Sequence, residues 1–389
     1  MEMNFDDIRC YTNEEVHEVL EKLTKEKSFM KVVSTAYPLL PKEIIKERLL
    51  QYNNQQEFQK DFIFPFLQYL EENTTKGIEL FGLEKINVSK AYLYLSNHRD
   101  IVMDSSFFCK KLLENSIDTV EIAIGDNLLI YPWIEDFVKL NKSFIVKRGL
   151  NTRQTLESSK LLSAYLLHTI CEKNQSIWMA QREGRAKDSD DYTQESVLKM
   201  LNLSAKDNNF IQHILQFNIC PLSISYEYDP CDYLKAKEFQ LKRDFPDYKK
   251  SPTDDLENMV IGIMGYKGKV VFRITGCIND ELKKIEQKTS NRHEQISQTA
   301  QLIDLKIHAN YEIYSVNKIA FDTLTGENRF AHEYSNMERI DFEQYLMKQI
   351  DKIQLENKDE KFLRQKLLEM YANPLINHLK TLQHSQPSV

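Results

Sequence analysis

The chain has 389 residues, 42% of them hydrophobic and 28% charged, with a formal net charge of -7. Those values fit a globular chain of one large or two modest domains and exclude a mostly disordered one. The negative balance leaves no basic footprint for nucleic acid, and no apolar run reaches the roughly 18 residues needed to cross a bilayer.

The opening stretch, 1–7, is acidic and lacks a signal-peptide pattern, so a cytoplasmic protein is expected. Residues 1–85 read as a helical N-terminal region interrupted at Pro38 and Pro41. Within it, 62–70 is a dense aromatic and aliphatic patch. It suits a helix packed on the core, and alternatively a surface that dips into a membrane interface.

Residues 86–280 alternate between short apolar runs and helical segments. Strands are expected at 91–95, 121–124, Ser143–Val146, 176–180 and Ile219–Tyr226. Helices are expected at 104–113 and at Thr152–Cys171, the second capped by Thr152. This alternation predicts an α/β fold with a mostly parallel central sheet flanked by helices. The segment 229–258 carries Lys235, Lys237, Lys242, Arg243, Lys249 and Lys250 and reads as an irregular polar excursion or a mobile loop. After it, 260–265 and 269–275 flank Tyr266-Lys267-Gly268, which suggests an antiparallel hairpin at the sheet edge. Residues 281–389 read as a mostly helical C-terminal region whose tail, 383–389, frays.

The six cysteines, Cys10, Cys109, Cys171, Cys220, Cys231 and Cys277, form no C-x-x-C pair. Isolated thiols are expected rather than a disulfide framework or a zinc site, and no metal or bound cofactor is expected.

Polar clusters recur at the predicted strand ends, where ligands bind in open α/β sheets. The first is Asn97-His98-Arg99-Asp100, with Asp104 downstream. A His with a nearby carboxylate is the minimum for a general base held in one tautomer. The second is Lys147-Arg148, and the third is the basic run 181–187, which contains Glu183, Gly184 and Arg185. The fourth is Cys220-Pro221-Leu222-Ser223. A parallel sheet would bring the first three to one edge, where arginines could grip phosphate oxygens. A protein-kinase reading of His98-Arg99-Asp100 fails, because that loop needs Asn where Ser105 stands. A hydrolase would need its own nucleophile or a positioned water, and no G-x-S-x-G elbow is present.

In this order the clusters resemble the glycerolipid acyltransferase family, which acylates glycerol 3-phosphate and 1-acylglycerol 3-phosphate. Asn97, His98 and Asp104 match its first block, with one residue more between His and Asp than the family has. Phe144, Ile145 and Arg148 match the second block. Glu183, Gly184 and Arg185 match the third, with no residue between Gly and Arg. Pro221, Leu222 and Ser223 match the fourth. The resemblance implies an O-acyltransferase in which His98 is the general base and Asp104 its partner, with Asp100 left open as the alternative. It further implies that Arg148, Glu183, Gly184 and Arg185 bind a phosphate-bearing or lysolipid acceptor. The donor would be acyl-CoA or an acyl carrier protein, and the enzyme would sit on the cytoplasmic membrane surface. Two such surfaces are 62–70 and 128–133, and the lysines of 235–250 could meet an acidic carrier. A lipid or thioester hydrolase and an inactive lipid-surface binding protein of the same fold are the alternatives.

Overall fold

The computed structural model describes residues 4–384. Most of the tail expected to fray, 385–389, and the first three residues of the acidic start lie outside the described residues.

Seven strands form one sheet: β1 (Ile78–Phe81), β2 (Leu93–Ser96), β3 (Glu121–Gly125), β4 (Ser143–Val146), β5 (Ile177–Ala180), β6 (Ile219–Tyr226) and β7 (Val270–Ile274). Their order across the sheet is β1-β7-β6-β2-β5-β3-β4. The five strands from β6 to β4 run parallel. β7 is antiparallel to β6 and parallel to β1, so this outer pair runs the other way. The expected α/β class and mostly parallel sheet are therefore the ones observed.

The central strands are apolar on both sides because both faces of the sheet are covered. Leu93 and Leu95 join one core with Phe144, Met179 and the helices Thr152–Cys171 and Arg292–Ala309. Tyr92, Tyr94 and Trp178 join the other core with the helices Phe64–Thr74 and Met103–Glu114. Two further cores lie outside the sheet. One gathers the N-terminal helices against Leu140, and the other gathers the C-terminal helices.

Several expectations are corrected. The N-terminal stretch is not wholly helical, since β1 lies within it as an edge strand. The hairpin expected across 260–275 does not form, because its first arm belongs to the helix Pro252–Met264. Ser251 caps that helix and exchanges hydrogen bonds with Asp254, with Pro252 at the first position, an arrangement that starts helices. The second arm is β7, which sits inside the sheet rather than at its edge. The polar stretch after 229 is not irregular either: Asp232–Asp244 is a helix that buries Leu234, Lys235 and Ala236. The cap of Thr152–Cys171 is Asn151, which accepts the Gln154 N–H at 3.0 Å, and not Thr152.

Candidate active site

β2 ends at Ser96, and the chain then turns through 97–102 before the helix Met103–Glu114 begins. Asn97 is fully buried, and its amide continues the sheet ladder. Its Nδ2 donates to the Ile224 carbonyl at 2.8 Å, and its Oδ1 accepts the Ile224 N–H at 2.9 Å. This pins the start of the turn to β6.

His98 follows, with its side chain 14% exposed. Its Nδ1 lies 2.8 Å from Asp104 Oδ2. The same oxygen accepts the backbone N–H groups of Arg99 at 2.7 Å and Asp100 at 3.1 Å. Asp104 is completely buried in the first turn of its helix, where backbone N–H groups and the helix dipole favour a carboxylate. With Nδ1 engaged, Nε2 is the nitrogen left for proton transfer. The Trp178 ring meets the imidazole edge to face at 5.5 Å.

Asp100 plays a different part. Its Oδ1 accepts the N–H groups of Val102 at 2.9 Å and Met103 at 2.8 Å, the bonding of a helix cap. Burial, and then the Asp104 charge, push its carboxyl above the usual range. The turn is clamped from outside as well. The Arg99 side chain pairs with the fully buried Asp191, and the Arg99 carbonyl accepts from buried Lys235 at 3.2 Å. Lys235 also pairs with Asp229. Burial opposes ionisation of Asp229, but Lys235 outweighs it and holds that carboxyl below its usual range.

A cavity of about 2130 Å³ opens at His98. Drug-sized ligands fill roughly 300–1,000 Å³, so this volume exceeds what one of them needs. Its apolar lining includes Phe62, Ile122, Ile124, Trp133, Phe137 and Val138. Its polar lining includes Lys147, Arg148, Arg182, Glu183, Gly184 and Arg185. The first three sequence clusters are thus brought to one cavity. The fourth is not: Cys220, Leu222 and Ser223 are buried inside β6, and Pro221 pairs with Leu95.

Arg148 reaches Glu183, with Nη1 3.5 Å from Oε1. The Arg148 backbone N–H donates to Asp126 Oδ1 at 3.0 Å, which ties the end of β4 to the end of β3. Gly184 has φ +68° with open space where a Cβ would stand, so backbone conformation alone calls for glycine there. Arg185 donates to Asn258 Oδ1 at 3.1 Å. Its Nη1 is buried without a hydrogen-bond partner among the described residues, as is Arg182 Nε.

Sequence reasoning missed the far wall. Helix Pro252–Met264 supplies Asn258 and lies directly over Asp100 through Gly262. The available signal was Ser251-Pro252 followed by Asp254, a helix start. Cys109 also lines the cavity. Burial pushes its thiol up to about 11, so it is no thiolate near neutral pH. No group of three or more His, Cys, Asp or Glu among the described residues is placed to hold a metal ion. No helix among them is long and apolar enough to cross a membrane.

No protein-family model matches the chain, and no curated protein matches it. A solved structure similar to this chain is that of the 1-acyl-sn-glycerophosphate (LPA) acyltransferase PlsC from Thermotoga maritima. The likeness has 11% sequence identity, covers 75% of this chain and 92% of that one, and has a TM-score of 0.34.

Proposed function

We propose that this protein is an O-acyltransferase that moves a fatty acyl chain from a thioester donor to a hydroxyl of a phosphate-bearing glycerolipid acceptor. The observation that carries this reading is the His98–Asp104 pair. It stands at the carboxyl end of a central strand, on a cavity lined by both apolar side chains and arginines.

The acyl chain lies along the apolar lining of the cavity, with the thioester carbonyl beside His98. The acceptor phosphate meets Arg148 and Arg185, and Glu183 orients Arg148. His98 Nε2 removes the proton from the acceptor hydroxyl as its oxygen attacks the carbonyl carbon. Asp104 stabilises the imidazolium, as the acid does in a serine-protease triad. Collapse of the tetrahedral intermediate breaks the carbon–sulfur bond, and the imidazolium returns its proton to the departing thiolate. The ester forms with no enzyme-bound acyl group, in keeping with the protonated Cys109. Clamping of the turn by Asp191 and Lys235 fixes the base before substrate arrives, which lowers the entropic part of the barrier. A lysolipid acceptor reaches the cavity from a membrane surface.

A donor-by-acceptor matrix with product mass spectrometry tests the reading. The parent forms an acylated phospholipid, and free fatty acid does not exceed product in the presence of acceptor. His98→Ala abolishes transfer while its thermal melt stays that of the parent. Asp104→Asn lowers kcat by roughly 10²-fold or more, the scale of general base catalysis. Normal turnover by a folded His98→Ala variant refutes the mechanism. Thioester cleavage without acceptor dependence makes the protein a hydrolase instead.

A further inference from the structure

β6 outlasts β2 beside the His98 turn. Ser96, the last residue of β2, pairs with Leu222, and the Asn97 amide extends the ladder to Ile224. Tyr226 lies two residues further and ends the strand. Side chains two apart share a face, and Leu222, Ile224 and Tyr226 belong to one core with Met103. Asp104 is the next residue after Met103, so this core places Tyr226 on the side of the sheet where the turn becomes a helix. Tyr226 is 8% exposed and is not among the residues that line the cavity.

Two buried polar atoms lack a well-formed hydrogen bond to any described residue here: the Tyr226 hydroxyl and Asp104 Oδ1. Asp104 Oδ2, by contrast, serves His98 and two backbone N–H groups. Burial, then the charges of Asp104 and Asp100, push the Tyr226 phenol well above its usual range, and Asp104 is also its hydrogen-bonding neighbour. The phenol therefore keeps its proton and can only donate to a carboxylate. The other charged groups around the pair are engaged elsewhere. Asp100 Oδ1 caps the helix, and Asp229 takes Lys235 and the Cys231 N–H. Lys267 donates to Thr74, Ile263 and Gly265, and Arg185 donates to Asn258. A buried carboxylate oxygen left unbonded is costly, and catalytic hydrogen bonds that are loose without substrate tighten with it.

Building on the acyl-transfer reading, we infer that Tyr226 is a positioning residue for the catalytic pair: its hydroxyl donates to Asp104 Oδ1 and fixes the carboxylate and its charge against His98. β6 thus contributes to the chemistry from behind the site, although the side chains of the fourth cluster lie inside the strand. Proton accounting gives the direction of the effect. The pair takes up one proton, passing from imidazole with carboxylate to imidazolium with carboxylate. A donor on Oδ1 stabilises the bare negative charge more than the charge that an imidazolium already meets. Tyr226 therefore lets the pair release its proton at lower pH, and His98 is free to act as a base over a wider range.

The test uses Tyr226→Phe, which removes the hydroxyl and keeps the ring, with a thermal melt to check the fold. Nitrogen NMR on protein carrying isotope-labelled histidine follows the His98 ring against pH, its signal identified by its absence in His98→Gln. His98 in the variant should titrate about one pH unit above the parent, the scale of a hydrogen bond to a charged group. On the acid limb of kcat/KM that displacement is a loss of about tenfold, which closes at higher pH where His98 is unprotonated in both proteins. KM for either substrate should stay the same, since Tyr226 does not line the cavity. On an Asp104→Asn background, Tyr226→Phe should move neither the titration nor the rate further. An unmoved or lowered His98 titration overturns the inference. So does a rate loss equal at every pH, the mark of lost packing, or an effect of the same size with and without the Asp104 carboxylate. A parent whose His98 titration depends on Tyr226 yet that transfers no acyl group refutes the acyl-transfer reading and leaves the Tyr226–Asp104 bond standing.

Discussion

Asp232 is completely buried, and its Oδ2 accepts hydrogen bonds from the hydroxyls of Tyr345 at 2.6 Å and Tyr371 at 2.7 Å. Burial pushes its carboxyl up to about 7, and nearby Asp229 adds to the rise against the two hydroxyls and the Tyr233 N–H. An unfolded Asp titrates near about 3.9. Between that value and about 7 the folded chain holds a proton that the unfolded chain has lost. Stability from this group is therefore full below the unfolded value and is lost as pH rises through the folded one. Asp232→Asn removes the titration and keeps an oxygen for both hydroxyls. Chemical denaturation of parent and variant from pH 5 to pH 8 should show their midpoints shifting in favour of the variant as pH rises. A difference that does not move with pH would mean that Asp232 does not titrate in this window. The roles of Asp100 and Asp104 show how far single residues could be read in the sequence. Both stood within reach of His98, and spacing alone could not choose between them. The choice depends on where the helix begins. Starting at Met103, it places Asp104 under the two N–H groups that converge with His98, and it uses Asp100 to cap.

At the scale of elements, helix Pro252–Met264 approaches the His98 turn through Gly262. A Cβ at Gly262 would fall 2.0 Å from Asp100 Oδ2, and Asp100 is 2% exposed with no room to retreat. Helix propensity alone would favour alanine there by about 1 kcal/mol, so any loss comes from the contact. Gly262→Ala should destabilise the fold by roughly 1–3 kcal/mol, the usual cost of overpacking, and should reduce acyl transfer. Combining it with Asp100→Ser, a smaller capping residue, should cost less than the sum of the two single changes. Strict additivity in the double-mutant cycle would show that the helix does not bear on Asp100. This helix was misread because its apolar residues, Leu256, Met259, Val260, Ile263 and Met264, were judged by their last few positions. Over the whole segment they repeat at three and four, which is helical and not alternating. The parallel strands were legible for the opposite reason: strands buried on both faces are continuous apolar runs with polar residues at their ends. β1 was missed because it is four residues long and pairs only with β7, far along the chain. Its local pattern carries little of that information.

For the molecule as a whole, the mouth of the cavity is where separate regions meet. Leu39 is 93% exposed, and Val32, Tyr69, Tyr131, Val260 and Met264 are each about half exposed. They come from the N-terminal helices and the turn between two of them, from the segment after β3 and from helix Pro252–Met264, yet all of them line the one cavity. Single exposed apolar side chains are ordinary, whereas a ring of them around an apolar cavity is the pattern of a contact surface. A lipid acceptor and a fatty acyl chain would pass from bilayer to cavity across that ring without crossing water. Lys31 and Lys147 line the same cavity and would add a local attraction to anionic headgroups despite the net charge of -7. Of the two stretches read as membrane surfaces in the sequence, each supplies part of the ring, Tyr69 from one and Tyr131 from the other. Neither forms a patch alone, because their meeting is a tertiary event. Sedimentation with anionic phospholipid vesicles should pellet the parent. A Leu39→Asp, Val260→Asp variant should stay largely in the supernatant with an unchanged melt, since neither side chain is in a core. The variant should also lose activity on vesicle-borne acceptor while keeping it on a short-chain, water-soluble one. Equal pelleting of both proteins would move the contact surface away from the cavity mouth, and equal loss on both acceptors would mean that these side chains act inside the cavity rather than at the membrane.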